Sequence, residues 1–220
     1  MKKYFNVLRK CPLFNGISDE NLTAMLGCLQ AKLREFSRKE NIFAEGDPAG
    51  YMGIVLSGTV QIVRQDYFGN RSIIGMAEPG DLFAESFACA GAAEMPVDVV
   101  ASEDAEVLLI HQNRISNPCS SACDFHKQMI FNLMKIIAAK NIAMNQKLEI
   151  TSKRSTREKL MAYLLMQAKK NGSSKFIIPY DRQELADFLG VDRSGLSAEI
   201  SKLRAEGVIC CHRNQFEIKI

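Results

Sequence analysis

Three polar residues, Arg193, Ser194 and Ser197, lie in the first two turns of a predicted helix near the C-terminal end of the chain. An arginine side chain can donate two parallel hydrogen bonds to the O6 and N7 atoms of guanine, and a serine hydroxyl can bond a base edge or a phosphate. The apolar residues of the same segment recur at helical spacing and avoid these positions: Leu196, Ile200 and Leu203. This pattern predicts a helix that buries one face and presents base-reading side chains on the other.

A second predicted helix and a tight turn position this one. Asp181 and Glu184 have the spacing of a capping box, which begins a helix. Gly190 ends it, because glycine adopts the left-handed backbone of a helix end at least cost, and Asp192 caps the next helix. Two short helices around such a turn form a helix-turn-helix, which places its second helix in the major groove of DNA. A helical hairpin that only packs is the alternative interpretation.

Further residues of this region extend the predicted DNA surface. The start of the first helix favours phosphate, so Arg182 and Gln183 are predicted DNA contacts. Lys202, on the second helix, is expected to contact the DNA backbone. Residues 207–211 and 215–220 alternate like the two strands of a hairpin, which predicts a wing. The caps, the glycine turn and the hairpin occur together, and this favours DNA binding over simple packing.

A long helix is predicted over residues 120–150, which contain neither Pro nor Gly. Its apolar residues recur every three or four positions, as in a coiled-coil seam: Ile130, Leu133, Met134, Ile137, Asn141, Met144 and Leu148. A single polar residue in such a seam fixes partner and register, which is the role expected of Asn141. The seam predicts a homodimer. A helix packed on the core of its own domain is the alternative.

Residues 31–111 follow a different pattern, of short apolar runs separated by Gly- and Pro-containing turns. Many short strands at this spacing predict an all-β barrel or sandwich. The predicted strands are residues 41–43, 52–56, 59–63, 72–76, 97–101 and 105–110. Short helices are predicted before them, over the first 30 or so residues.

The bulk composition fits a globular protein of 220 residues with 47% hydrophobic residues and a net charge of +3. No apolar stretch is long enough to span a membrane, and the N-terminal sequence lacks the apolar core of a signal peptide. We therefore expect a cytoplasmic protein without a membrane partner. The seven cysteines are scattered, which favours reduced thiols over disulfides.

The order of these segments resembles the Crp/Fnr family, named for the cyclic-AMP receptor protein and the fumarate-nitrate regulator. The resemblance rests on residues 41–47, 54–60 and 79–85, followed by the long helix and the C-terminal motif. It implies an α+β chain with a cyclic-nucleotide-binding-like β-roll in residues 1–118, a dimerisation helix in 119–151 and a winged helix-turn-helix in 152–220. It also implies a homodimer that binds a pseudo-palindromic site on double-stranded DNA and contacts RNA polymerase.

Several positions depart from the family pattern. Nucleotide-binding members carry Gly-Glu and Arg-Ser pairs, and this chain has Ala84-Glu85 and Met95-Pro96 at the corresponding places. Without that arginine a cyclic phosphate lacks its charge-assisted partner, so cyclic AMP is not the expected effector. Ala198 stands where related recognition helices carry an arginine.

An effector pocket is predicted around one carboxylate, that of Glu85. Its predicted residues are Ala84, Glu85, Ser86, Phe87, Met95, Pro96 and Val97. Such a pocket suits an apolar or weakly cationic small molecule, whose identity the residues do not specify. The alternative is an occluded pocket that holds no ligand.

A redox, metal or haem sensor of the same fold and a β-roll metal-dependent enzyme are two further interpretations. His111 and His126 are available as haem ligands. Cys11 and Cys28 are too far apart in sequence to supply an iron–sulfur cluster, so none is expected. Cys119 and Cys123 are spaced to respond to oxidation or to bind a metal, although idle thiols have the same spacing. A β-roll metalloenzyme requires inward-facing histidines, and residues 31–110 contain no histidine. We therefore predict neither a catalytic nor a metal site.

Overall fold

The computed structural model describes residues 2–69, 71–116 and 124–219. The chain divides into two compact units. The first contains Met1–Asn70 and Ile74–Asn141, and the second contains Arg71–Ile73 and Ile142–Ile220.

The N-terminal part forms a β-roll with helices at its start and end. Its strands are β1 (Lys32–Phe36), β2 (Asn41–Phe43), β3 (Tyr51–Ser57), β4 (Val60–Gln65), β5 (Arg71–Ala77), β6 (Leu82–Phe83), β7 (Asp98–Ala101) and β8 (Ala105–His111). They form two four-stranded sheets, ordered β1-β8-β3-β6 and β2-β7-β4-β5. The helices are α1 (Phe5–Lys10), α2 (Asp19–Cys28), α3 (Glu85–Cys89), α4 (Asn113–Ser116) and the long α5 (Asp124–Thr151).

Strand β3 is covered on both faces, and this explains its uninterrupted apolar sequence. Val55 belongs to the core between the two sheets, together with Val107 of β8. Ile54 and Leu56 point to the opposite side, into a second core that includes residues of α1, α2 and α5. Strands 41–43, 52–56, 59–63, 72–76, 97–101 and 105–110, as predicted, overlap β2, β3, β4, β5, β7 and β8.

Gly53 of β3 allows the sheet to meet an aromatic ring directly. A Cβ atom built on Gly53 lies only 2.0 Å from the ring of Phe83. Phe83 itself is fully buried in the core between the sheets. Any larger residue at position 53 therefore displaces this ring from the start of the turn that leads into α3.

Helix α5 has two distinct apolar faces. Leu133 is only 6% exposed and lies in the core of its own unit, which Ile130, Ile136 and Ile137 also contact. Met134 and Leu148, by contrast, are 58% and 65% exposed. Leu133 of the predicted seam thus packs within its own unit, and Ile130 and Ile137 of the seam are packed against the same core. The other predicted seam residues, Asn141 and Met144, are exposed.

The second unit contains a winged helix-turn-helix. Its elements after α5 are α6 (Thr156–Asn171), β9 (Lys175–Ile177), α7 (Arg182–Leu189), α8 (Arg193–Ala205), β10 (Ile209–His212) and β11 (Gln215–Ile218). The last two strands pair antiparallel, and β11 also pairs with β9. The α+β fold class with a β-roll, a long helix and a winged helix-turn-helix is confirmed.

The helix starts predicted from Asp181 and Asp192 are also confirmed, and α6 begins with a similar cap. Ser155 and Glu158 form a complete capping box at the start of α6, and Asp181 and Glu184 form another at α7. Gly190 has a left-handed backbone with a φ of 61° and ends α7. These local signals fix where α7 stops and where the turn into α8 begins.

Candidate nucleic-acid interface and effector pocket

Helix α8 separates its polar and apolar residues as the sequence predicts. Leu196, Ile200 and Leu203 are buried in the domain core. Arg193, Ser194, Ser197 and Lys202 are exposed on the remainder of the helix surface. The side chains predicted to contact DNA are therefore accessible, and three of them lie in the first two turns of the helix.

Asp192 caps the N-terminus of α8. Its carboxylate accepts a hydrogen bond of 3.0 Å from the Gly195 amide and another from the Ser194 hydroxyl. The Ser194 hydrogen bond, followed by that of Gly195, lowers the pKa of Asp192 below its usual value. The Ser194 hydroxyl thus donates its hydrogen to Asp192, and its oxygen lone pairs remain available to accept hydrogen bonds.

Two basic residues of α6, Arg157 and Lys159, form hydrogen bonds to the helix-turn-helix, and neither was predicted from the sequence. Arg157 donates to Glu206, just after α8, at 2.9 Å, and to Glu199 within α8 at 3.4 Å. Lys159 Nζ lies 3.4 Å from the carbonyl oxygens of Leu189 and Gly190, at the end of α7. A cation near the C-terminus of a helix satisfies its unpaired carbonyls. The capping box that begins α6 was the available signal, because it sets the register of Arg157 and Lys159.

Arg182 and Gln183, the predicted phosphate contacts, make contacts within the domain. The Arg182 guanidinium lies over the Phe216 ring at 5.1 Å and donates to the Cys211 sulfur at 3.4 Å. It therefore joins the start of α7 to the wing. Gln183 is exposed and donates to Asp187 at 2.8 Å, one turn further along α7.

The predicted pocket residues come together, and most of them form part of the core. Ala84, Met95 and Val97 are buried between the two sheets, with Phe87 packed against them. Pro96 is half-buried and Ser86 is exposed. Ala84 has a left-handed backbone with a φ of 59°, at the place where the family pattern has glycine.

Glu85, the single carboxylate of this group, is only 2% exposed and is paired within the chain. Lys140 of α5 donates to Glu85 Oε2 at 3.0 Å and lies 2.9 Å from Oε1. The same ammonium donates to the carbonyl oxygen of Leu82 at 2.6 Å. A buried carboxylate requires a charged or hydrogen-bonding partner, and here the chain itself supplies it. No pattern in the sequence singles out Lys140 for this role.

The cysteines and histidines give no metal centre in the part of the chain that the structure describes. No group of three or more His, Cys, Asp and Glu residues there could hold a metal ion. Cys11 is buried, which raises the pKa of its thiol to about 12, whereas Cys28 is exposed. Cys119 and Cys123 lie outside the described residues. Among the helices of residues 2–69, 71–116 and 124–219, none has the length and apolar character of a membrane span.

Comparison with known families agrees with both halves of the chain. Residues 33–121 match the cyclic nucleotide-binding domain, and residues 158–220 match the Crp-like helix-turn-helix domain. The second match includes α7, α8 and the wing. Together the two matches account for the β-roll and for the DNA-binding motif.

Individual relatives align over most of their length. The cyclic AMP receptor protein of Thermus thermophilus is 26% identical over 203 residues, which are 92% of this chain and 89% of the relative. The nitrogen fixation regulation protein FixK of Bradyrhizobium diazoefficiens is 25% identical over 179 residues, 79% of this chain and 72% of the relative. The solved structure of FixK2 from Bradyrhizobium japonicum superposes with a TM-score of 0.67 at 21% identity, covering 86% of this chain and 93% of that one.

The domain order, the two domain matches and these relatives lead to one conclusion. The chain belongs to the Crp/Fnr family of DNA-binding transcription regulators.

Proposed function

We propose that this regulator acts as a homodimer and binds a two-fold symmetric DNA site through α8, under the control of its β-roll. The observation that carries the proposal is the surface of α8, where Arg193, Ser194 and Ser197 are exposed beside a fully buried apolar face. Arginine and serine in these first turns are suited to base edges, and Lys202 is suited to phosphate. RNA polymerase is a further partner that the family resemblance predicts.

The homodimer is supported by the second apolar face of α5. Met134, Met144 and Leu148 are large, apolar and exposed, and they recur at the spacing of a coiled-coil seam. A second copy of the chain is the partner that the repeat favours, because a two-fold dimer sets the same stripe against itself. Two copies of α8 then reach two half-sites about 34 Å apart, one turn of DNA.

The effector that this fold is expected to sense is not cyclic AMP. Met95 and Pro96 offer no cation to a cyclic phosphate, and Glu85 is engaged by Lys140. A small molecule that acts on the pocket meets the buried side chains of Ala84, Met95 and Val97. The alternative within the same fold is a sensor of redox state or of a metal, for which Cys119 and Cys123 are the candidate residues.

The test is a selection of random duplex DNA against the purified protein, without added ligand, followed by salt titration of the enriched site. We expect a two-fold symmetric consensus and a steep fall of affinity with salt, because lysine and arginine contacts release counterions from the phosphates. On that site Arg193→Ala is expected to cost about 1–3 kcal/mol and to relax the preference at one base pair. Lys202→Ala should weaken all sequences equally and reduce the salt slope by about one.

The matched control is Lys170→Ala, which removes a lysine from the last turn of α6. It should leave the consensus unchanged. Enrichment of no symmetric sequence, both for the purified protein and in cell extract that supplies an effector, would rule the proposal out.

A further inference from the structure

The Lys140 ammonium contacts the turn between β6 and α3, while the Lys140 side chain is 42% exposed. A lysine ammonium has three hydrogens to donate, and three oxygens surround this one: the Leu82 carbonyl and both carboxylate oxygens of Glu85. The Glu85 carboxylate also accepts a hydrogen bond of 3.2 Å from the Ser86 hydroxyl. We call this group of contacts the Lys140 clamp.

The clamp lies at the end of the segment of α5 that is attached to the first unit. Leu133 and Ile136 contact the core, and Lys140 follows Ile136 by four residues, on the same face of the helix. Asn141 is the last residue of α5 that belongs to this unit. The clamp is therefore the polar end of an otherwise apolar attachment.

The burial of Glu85 makes the clamp a contact with two distinct states. Glu85 is 2% exposed, so movement of Lys140 away from it leaves a buried carboxylate without its charged partner. Unpaired buried charges are strongly unfavourable, so a partly released helix is disfavoured. Helix α5 is either held at this turn or released from it with a replacement partner for Glu85.

We propose that Lys140 is a built-in ligand of the β-roll. It contacts the carboxylate around which the effector pocket is predicted, and it holds α5 on the β6–α3 turn when no effector is present. The exposed apolar residues Met134, Met144 and Leu148 of α5 are thereby available for dimerisation when no ligand is bound. An effector that acts through this turn must displace Lys140, so it must carry a cationic or multiply hydrogen-bond-donating group. The consequence for DNA binding rests on the function proposed above.

The experiment compares the full-length wild type with Lys140→Gln, Glu85→Gln, Lys140→Arg and the control Lys135→Gln, an exposed lysine of the same helix. Glu85→Gln removes the ion pair without leaving a buried charge, so it separates release of the helix from misfolding. Hydrogen exchange is measured over residues 133–148 and 80–90. Affinity is measured, without added ligand, on the selected DNA site.

We expect Lys140→Gln and Glu85→Gln to raise exchange in both segments and to weaken specific DNA binding by about tenfold or more, the scale set by loss of a buried ion pair. Lys140→Arg keeps the cation and should remain close to wild type, as should Lys135→Gln.

Wild-type exchange in both glutamine variants overturns the clamp. Raised exchange with unchanged DNA affinity overturns its control of DNA binding. If the wild type selects no symmetric site, the proposed function fails, and the exchange measurement still decides whether the clamp exists.

Discussion

Ala84 shows how much one residue type can alter in this fold. Its left-handed backbone, with a φ of 59°, costs an alanine about 1 kcal/mol relative to a conformation that it prefers. The strain persists because the flanking residues Phe83 and Glu85 are both buried. The turn into α3 is thus maintained by its neighbours, although the glycine that makes it easily is absent.

Glu106 is the carboxylate on which the acid stability of the β-roll depends most clearly. Lys3, then Tyr4 and then Ser57 donate hydrogen bonds to it and lower its pKa to about 2, from an ordinary value of about 4.3. Because the folded pKa is the lower one, its stabilising effect is complete above the unfolded value and is lost as the pH falls from there toward 2.

We therefore expect Glu106→Gln to lower the melting temperature at pH 6 and to leave it close to wild type near pH 2. Thermal unfolding followed by circular dichroism across this pH range measures the difference. Lys3→Met, which removes one of the three donors, should reproduce part of the effect. Parallel curves for wild type and Glu106→Gln would contradict the assignment.

The residues that the sequence could predict are those with local partners. Asp181, Glu184 and Asp192 cap helices within three residues of themselves, so their roles follow from spacing alone. Lys140 and Glu85 are 55 positions apart and meet only through the tertiary fold. No local pattern distinguishes Lys140 from the other lysines of a long helix.

At the scale of elements, α5 shows what the spacing of apolar residues does and does not predict. Apolar residues every three or four positions predict a helix with a buried stripe, and the same spacing serves a dimer seam and an intramolecular core. The structure assigns Leu133 to the core and leaves Met134 exposed. Only the position of the β-roll separates these adjacent residues, and the sequence alone does not contain it.

The exposed stripe is tested by introducing charge into it. Met134→Glu with Leu148→Glu places four like charges in the predicted dimer interface. We expect a monomer at concentrations where the wild type is a dimer, with weakened binding to the symmetric site. Sedimentation equilibrium and DNA titration measure the two effects.

Leu165→Glu is the control, because Leu165 is also apolar and 50% exposed but lies on α6. It should leave the dimer intact. Ile137 is unsuitable for this test, since it contacts the core of its own unit. A Met134→Glu/Leu148→Glu protein that remains a dimer would remove the seam from the proposal.

Three strands, β1, β6 and β9, were not predicted from the sequence, each for an identifiable reason. β1 (Lys32–Phe36) has three charged residues among its five and no fully buried position. β6 has two residues, too few to show any periodicity, and β9 has three, of which only Phe176 is buried. Such strands form because a neighbour already presents its backbone: β8, β3 and β11, respectively. Pairing, rather than composition, defines them.

At the scale of the whole molecule, residues 33–121 match the cyclic nucleotide-binding domain, and yet cyclic AMP is not the effector that we propose. A ligand that binds only the folded protein stabilises it by about 4 kcal/mol at a concentration a thousand times its dissociation constant. We expect cyclic AMP at about 1 mM to leave the melting temperature unchanged, because Met95 and Pro96 replace the phosphate-binding pair. Calorimetric titration provides the second measurement, and a micromolar dissociation constant would contradict this expectation.

The pairing of Lys140 with Glu85 also constrains how this sequence can change over evolutionary time. A single substitution that removes Lys140 leaves a buried carboxylate unpaired, and one that removes Glu85 leaves the lysine without its counter-charge. A descendant that binds a ligand through Glu85 must therefore also change position 140. Across related sequences, positions 85 and 140 should covary. A change from one kind of sensor to another should pass through a sequence with a neutral residue at position 85.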